Sequence, residues 1–318
     1  MMPNLIADIG GTNARFALAG AGGAVDSPLV LDVTAHDTLA DAVRAYLAQV
    51  KPARPPTRGA VAVASPVLGD QVTMTNHRWA FSIEDTRRDL GLENLQVIND
   101  FTAVALALPH LGPGDLAPVG GGQAAARSPL AVIGPGTGLG VSAVVPAGFG
   151  WAPLTTEGGH VTMAPATDRE AAVLDALRHR FGHVSAERVC SGPGLVNLWT
   201  ALGQVDGDPD GDAPEPAGVT ARAEAGDARA AEAVDLMCAF LGTAAGNLCL
   251  TLGARGGLFV AGGIVPRLGD RFAASPFRRR FEEKGRFAGY LSAVPTQVIT
   301  HPHPAFVGLS WLMGTGRG

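Results

Sequence analysis

The clearest chemical signals in this sequence are acids placed where turn chemistry does not require them. Asp100 follows Asn99 at the end of the apolar run Leu95-Gln96-Val97-Ile98, and a helical pattern begins at Phe101. At the C-terminal end of a buried strand, such a pair faces a crevice rather than the core. Burying an unpaired carboxylate is expensive, so Asp100 needs a role. One is catalysis or binding, and the other is capping the helix that starts at Phe101. Asp8 poses the same question. It lies within Leu5-Ile6-Ala7-Asp8-Ile9, just before Gly10-Gly11-Thr12-Asn13. Backbone N–H groups at a Gly-rich tip can cradle a phosphate. An acid beside them suggests a Mg2+ site, direct or through water. An ordinary hairpin would account for the glycines but not for the buried acid.

Other residue sets point the same way less strongly. Glu157-Gly158-Gly159-His160 reads as a tight loop that presents an acid and a histidine. Taken alone, His160 is more simply a satisfied core or loop residue. Glu187 beside Arg188 could be only a surface pair. Gly134-Pro135-Gly136-Thr137-Gly138-Leu139-Gly140 forms a second Gly/Thr tip, echoing the first. Gly262-Gly263 follows the apolar run 257–261, leaving room for a flat ligand or simply turning strand into helix.

These residues need elements to hold them. Residues 5–9 and 14–18 read as a β-hairpin, with a third strand near 25–31 and a helix over roughly 38–49. Residues 58–64 read as a buried strand. Residues 76–79 form a polar loop in which Trp79 packs, and 84–90 are helical. Between 109 and 129 the composition shifts to Gly, Pro and Ala, which marks a domain boundary. Strands follow at 130–133 and 141–145. An amphipathic helix spans 168–181, and another starts near Ser191. Residues 206–216 read as a mobile acidic surface loop. The run 228–252 reads as a long apolar helix crossing the core or forming a subunit contact. Arg278, Arg279 and Arg280 are offset by Glu282 and Glu283, and 305–313 form a final helix on the first domain.

Composition excludes several classes. A chain of 318 residues suggests about two domains, and 47% hydrophobic content is enough for sizeable cores. With 17% charged residues it is neither disordered nor a coiled coil. A net charge of -5 without a basic run argues against nucleic acid as partner. The loop at Gly10 is neither a Walker A motif nor a G-x-G-x-x-G fingerprint. Three cysteines, Cys190, Cys238 and Cys249, give neither a disulfide framework nor a zinc set. No signal peptide or membrane-spanning run is read, so a cytoplasmic protein is expected.

The order of the motifs adds what each lacks alone. It resembles the sugar kinase/hsp70/actin superfamily. Within it, Asp8-Ile-Gly-Gly-Thr-Asn-Ala-Arg15 and Val97-Ile-Asn-Asp-Phe-Thr-Ala103 are similar to the phosphate motif and catalytic strand of the bacterial glucokinase family. Gly136-Thr-Gly-Leu-Gly140, Glu157-Gly-Gly-His160, His183-Val-Ser-Ala-Glu-Arg188, Ser191-Gly-Pro-Gly-Leu195 and Ala261-Gly-Gly-Ile-Val-Pro266 follow in the same order. A Cys-rich zinc motif and a helix-turn-helix segment before Asp8 are both missing, which points to the ATP-dependent, non-ROK branch.

The resemblance implies an α/β protein of two ribonuclease-H-like (actin-like ATPase) domains, with a nucleotide and sugar cleft between them. It implies a small domain of residues 1–110 plus 302–318 and a large one of 111–301. Closure is expected about hinges near 109–114 and 301–304, taken as the two chain crossings. It implies transfer of the ATP γ-phosphoryl group to the glucose 6-hydroxyl, with Asp100 as general base. Asn99, Asp100, Glu157, His160 and Glu187 would bind the sugar. Asp8, Gly10, Gly11, Thr12, Asn13, Gly136, Thr137, Gly262 and Gly263 would bind nucleotide, and Asp8 would position Mg2+. The expected state is a homodimer. A kinase for another hexose, a non-catalytic sugar sensor, and polyphosphate or ADP as donor are the alternatives.

Overall fold

The computed structural model describes residues 2–75, 77–208 and 213–315. Asn76 of the loop around Trp79, and residues 209–212 of the acidic loop, lie outside them. The chain divides into two compact units. One comprises Met1–Gly114, Ala147–Thr155 and His301–Gly318; the other comprises Asp115–Pro146 and Thr156–Thr300.

The first unit is built on β1 (Asn4–Ile9), β2 (Asn13–Ala19), β3 (Val25–Asp32) and β4 (Arg58–Val63). A small hairpin of β5 (Gln71–Thr73) and β6 (Ala80–Ser82) precedes β7 (Asn94–Asn99). The main sheet runs β3-β2-β1-β4-β7. β1 and β2 are antiparallel, whereas β1, β4 and β7 are parallel. Register aligns Ile9 with Val63, and Val63 with Asn99. The C-terminal ends of β1 and β7 therefore share one sheet edge.

Helices α1 (Leu39–Val50), α2 (Ile83–Asp89) and α3 (Asp100–Ala107) complete this unit with the C-terminal helix Pro304–Thr315. Leu5, Ala7 and Ile9 alternate along β1 into a core with Phe16, Val43 and Tyr46. Asp8 consequently points to the opposite face. Trp79 is buried, as its packing role requires, and its indole N–H donates to the His36 carbonyl at 3.0 Å. The C-terminal helix crosses α3 closely, because a Cβ on Gly308 would overlap the Ala103 carbonyl oxygen.

The second unit contains β8 (Leu116–Pro118), β9 (Leu130–Pro135) and β10 (Leu139–Ala147). The next strand, β11 (Gly150–Leu154), belongs to the first unit. The chain thus changes unit after Gly114, Pro146, Thr155 and Thr300, four crossings where two are expected. The excursion at 147–155 is short and has no composition boundary. With β12 (Gly257–Val260) and β13 (Thr296–Ile299), strands of this unit run β10-β9-β12-β13-β8. An antiparallel hairpin again feeds parallel strands, since β9 pairs parallel with β12 and β12 with β13. This repeats the first unit and gives two ribonuclease-H-like folds.

Around the sheet lie α4 (Asp168–Phe181), α5 (Gly192–Val205), α6 (Pro216–Glu224) and α7 (Ala228–Leu252). The length expectation for membrane spans fails at α7. Its 25 residues contain an 18-residue window of mean hydropathy 1.5, long and apolar enough to span, but 67% of that window is buried in the protein. Ala and Leu raise the hydropathy, while Gly permits close packing. Gly242 and Gly246 bring the helix against the carbonyls of Phe277 and Phe281. It is a core helix.

Two surface expectations also change. Arg278 and Arg279 do pair with Glu282 and Glu283 at 2.6 Å each. Arg280 also meets Glu283 at 3.5 Å, but its main partner is Glu170 on the inward side, and both the Arg280 and Glu170 side chains are almost fully buried. Thr243 and the Ala166 N–H complete the network. Removing one partner of such a pair costs about 3–5 kcal/mol, because it strands the other charge. The acidic loop is anchored at its start, where Arg169 grips both Asp206 oxygens at 2.6 and 2.9 Å.

Candidate active site

Asp8 stands directly across from Arg15 in the β1–β2 ladder, and the guanidinium meets its Oδ2 at 3.3 Å. The chain then turns tightly, with the Gly10 N–H donating to the Asn13 carbonyl at 2.9 Å. Gly11 is half-buried, while Thr12 and Asn13 are exposed. Burial pushes the Asp8 carboxyl above the ordinary carboxylate range, and Arg15 opposes that shift. Among the described residues no cluster of three or more His, Cys, Asp or Glu could hold a metal. A lone carboxylate still fits Mg2+, which is commonly held by one or two carboxylates and the substrate's phosphates. Asp8 has an oxygen to offer, since Arg15 engages only Oδ2.

At the other end of this edge, capping is real, but Asn99 performs it. Its Oδ1 accepts from the N–H groups of Phe101 at 2.9 Å and Thr102 at 3.2 Å. Asp100 is the first helical residue, and its Oδ1 accepts from Phe101 N–H at 2.8 Å. Asn99 has the extended backbone that an N-cap needs, whereas Asp100 is already helical. The cap fixes the amide orientation. Nδ2 faces the Ser65 carbonyl at 3.4 Å and retains a second hydrogen. Ser65 itself is buried and held by Thr75, whose N–H donates to its Oγ at 2.8 Å. Sequence reading missed Ser65, because nothing local marks a carbonyl as an orienter.

In the second unit, the tip after β9 and the turn after β12 again share an edge, where Ile133 aligns with Val260. The Gly136 N–H donates to Gly138 O at 2.8 Å, and Gly136 O accepts from Gly192 N–H at 2.8 Å. This ties the tip to the start of α5, whose N-cap is Ser191. Thr137 is exposed, and a Cβ on Gly136 would meet nothing within 4 Å. The two later glycines differ. Gly262 has φ +83° and lies against the Pro135 carbonyl, so the fold requires it. Gly263 opens onto free space.

The Glu157 loop closes through a turn in which His160 N–H donates to Glu157 O at 3.0 Å. Gly159 packs on Leu139 and Gly158 on Val141, which explains the paired glycines. His160 lies 4.0 Å from Glu157 Oε2 through Nε2 and 4.0 Å from Glu187 Oε1 through Nδ1. The structure thus gathers Glu157, His160 and Glu187 within one unit, and Asn99 and Asp100 within the other. Glu187 is no surface partner of Arg188. Its Oε2 accepts from Leu139 N–H at 2.9 Å, whereas Arg188 stacks on Phe181. The three cysteines are free and buried, and burial pushes the Cys238 and Cys249 thiols up to about 12, so none offers a thiolate.

The crystal structure of a glucokinase from an Antarctic psychrotroph matches 99% of this chain and 100% of its own, at a TM-score of 0.90 and 37% identity. Two ribonuclease-H-like units that each carry Gly-rich tips, with the Asn99–Asp100 pair at a strand end of the first, define a sugar kinase of the actin-like ATPase fold. The glucokinase family model matches residues 5–315. The glucokinase of Paramagnetospirillum magneticum is 54% identical over 97% of both chains. That of Chromobacterium violaceum is 53% identical over 97% of this chain and 88% of its own. The chain belongs to the glucokinase family, and its reaction is ATP-dependent phosphorylation of glucose.

Proposed function

We propose that Asp100 accepts the proton of the glucose 6-hydroxyl as that oxygen attacks the ATP γ-phosphorus. The observation that carries this reading is the shared edge of the first unit: the Gly10–Gly11 tip follows β1, Asn99 ends β7, and Asp100 begins α3 directly after it. In a loose transition state the hydroxyl keeps its proton late, so Asp100 acts by aiming the oxygen as much as by basicity. Asn99 donates its remaining amide hydrogen to a sugar hydroxyl, because its Oδ1 is already occupied by the cap. Glu157 and Glu187 accept from sugar hydroxyls, and His160 completes the set. A missing or inverted hydroxyl would leave such groups unpaired, which is a source of selectivity.

Gly10, Gly11, Thr12 and Asn13 hold phosphate oxygens from the first unit, and Gly136 and Thr137 do so from the second. Gly263 admits the adenosine to the backbone, and Gly262 keeps the adjoining turn in shape. Asp8 holds Mg2+, which when bound neutralises phosphate charge. Arg15 keeps the carboxylate oriented across the hairpin. Asp100→Ala tests the reading. Its kcat should fall by several orders of magnitude, with the fold intact and glucose still bound. Near-normal turnover would remove Asp100 from the role.

A further inference from the structure

We propose that Glu187 is a positioning residue as well as a sugar contact, and that its carboxylate makes glucose affinity depend on the backbone of the 136–140 tip. The inference rests on the proposed sugar role of Glu187. The two carboxylate oxygens have different commitments. Oε1 faces His160 at 4.0 Å, and Oε2 accepts from the Leu139 N–H at 2.9 Å. The main chain repeats the connection. Glu187 N–H donates to Gly159 O at 2.9 Å, and Gly159 packs against the Leu139 carbonyl. Moving Gly138 or Leu139 therefore moves Oε2, and rotating the carboxylate to meet a sugar hydroxyl pulls on the tip.

The sequence contains a ready lever. A Cβ on Gly138 would stand 2.5 Å from Glu187 Oε2. Gly138 is not in the left-handed region, so alanine suits its backbone. The atom it would strike is the far end of a flexible side chain. Gly138→Ala should therefore displace the carboxylate without unfolding the unit. Glycine at this place reserves room for Glu187.

The test is a double-mutant cycle on the full chain, with glucose binding measured by calorimetry without nucleotide and KM for ATP measured separately. Losing a hydrogen bond to a charged group corresponds to about tenfold in affinity. Gly138→Ala should raise the glucose Kd by about that factor, with the protein still folded and its melting temperature lowered by only a few degrees through loss of the Leu139 N–H bond. In a Glu187→Ala background the same change should alter glucose Kd less than about twofold, because its target is gone. Glu187→Ala should also raise KM for ATP. If Gly138→Ala leaves glucose Kd within twofold of the parent, the linkage is overturned. If Glu187→Ala weakens glucose but leaves KM for ATP unchanged, the linkage fails while the sugar contact stands. If it raises KM for ATP but leaves glucose Kd unchanged, the sugar contact fails and the linkage with it.

Discussion

Asn99 performs two separable tasks, and substitution can divide them. Its Oδ1 satisfies two of the first N–H groups of α3, and its Nδ2 keeps one hydrogen for a ligand. Losing an N-cap to alanine costs about 1 kcal/mol. For a unit of this size that lowers the melting temperature by about 2–4 °C. Losing one neutral hydrogen bond to the sugar costs about 1 kcal/mol, or about fivefold in affinity. Asn99→Ala should show both losses. Asn99→Asp keeps an equally good cap acceptor but has no hydrogen to donate. It should melt somewhat below the parent, because a carboxylate oxygen then faces the Ser65 carbonyl, and should bind glucose at least about fivefold more weakly. The added charge beside Asp100 calls for a neutral control. Asn99→Ser caps well but is too short to reach the same hydroxyl, so it should repeat the pattern. Thermal melts and glucose calorimetry without nucleotide supply both readings. An Asn99→Ser variant that binds glucose within twofold of normal would show that the amide only caps. An Asn99→Ala variant with an unchanged melting temperature would refute the energetic part of the argument.

Two further outcomes follow from the same edge of the first unit. Asp8 holds its proton more tightly in the fold than in the unfolded chain, because burial outweighs Arg15. Its favourable contribution is therefore present at low pH and lost as pH rises through its raised native value. Asp8→Asn should melt higher than the parent at pH 7, converge with it near pH 3, and lose phosphoryl transfer. A lower melting temperature at pH 7 would mean that the Arg15 pair dominates. Gly308→Ala forces a methyl group into the Ala103 carbonyl, and such overpacking costs about 1–3 kcal/mol. It should lower both melting temperature and kcat, since α3 carries Asp100 at its first turn; an unchanged melt would contradict the close crossing.

Much of this was legible in the chain because hairpin and strand-end signals are local. Leu5 to Ile9, the two Gly/Thr tips and the Asn99–Asp100 step appear where their patterns place them. Capping passed to Asn99 rather than Asp100 because the cap must keep extended dihedrals, and one residue decides which does. The Arg280–Glu170 pair joins residues 110 positions apart, and Arg280 lies in a run whose charges already have neighbouring partners in sequence. The same is true of Glu187, whose partner is a distant backbone N–H. Ser65 acts through a carbonyl and Gly308 through the absence of a side chain, and neither leaves a readable motif. The short passage at 147–155 lacks a boundary signal because strand continues to strand.

The most direct test of the central claim is a crystal structure with glucose and a non-hydrolysable ATP analogue bound. An Asp100 carboxylate oxygen is expected about 2.6–3.2 Å from the glucose 6-oxygen, with that oxygen in line with the γ-phosphorus. A 6-oxygen paired with another carboxylate, with Asp100 turned away from the sugar, would contradict it.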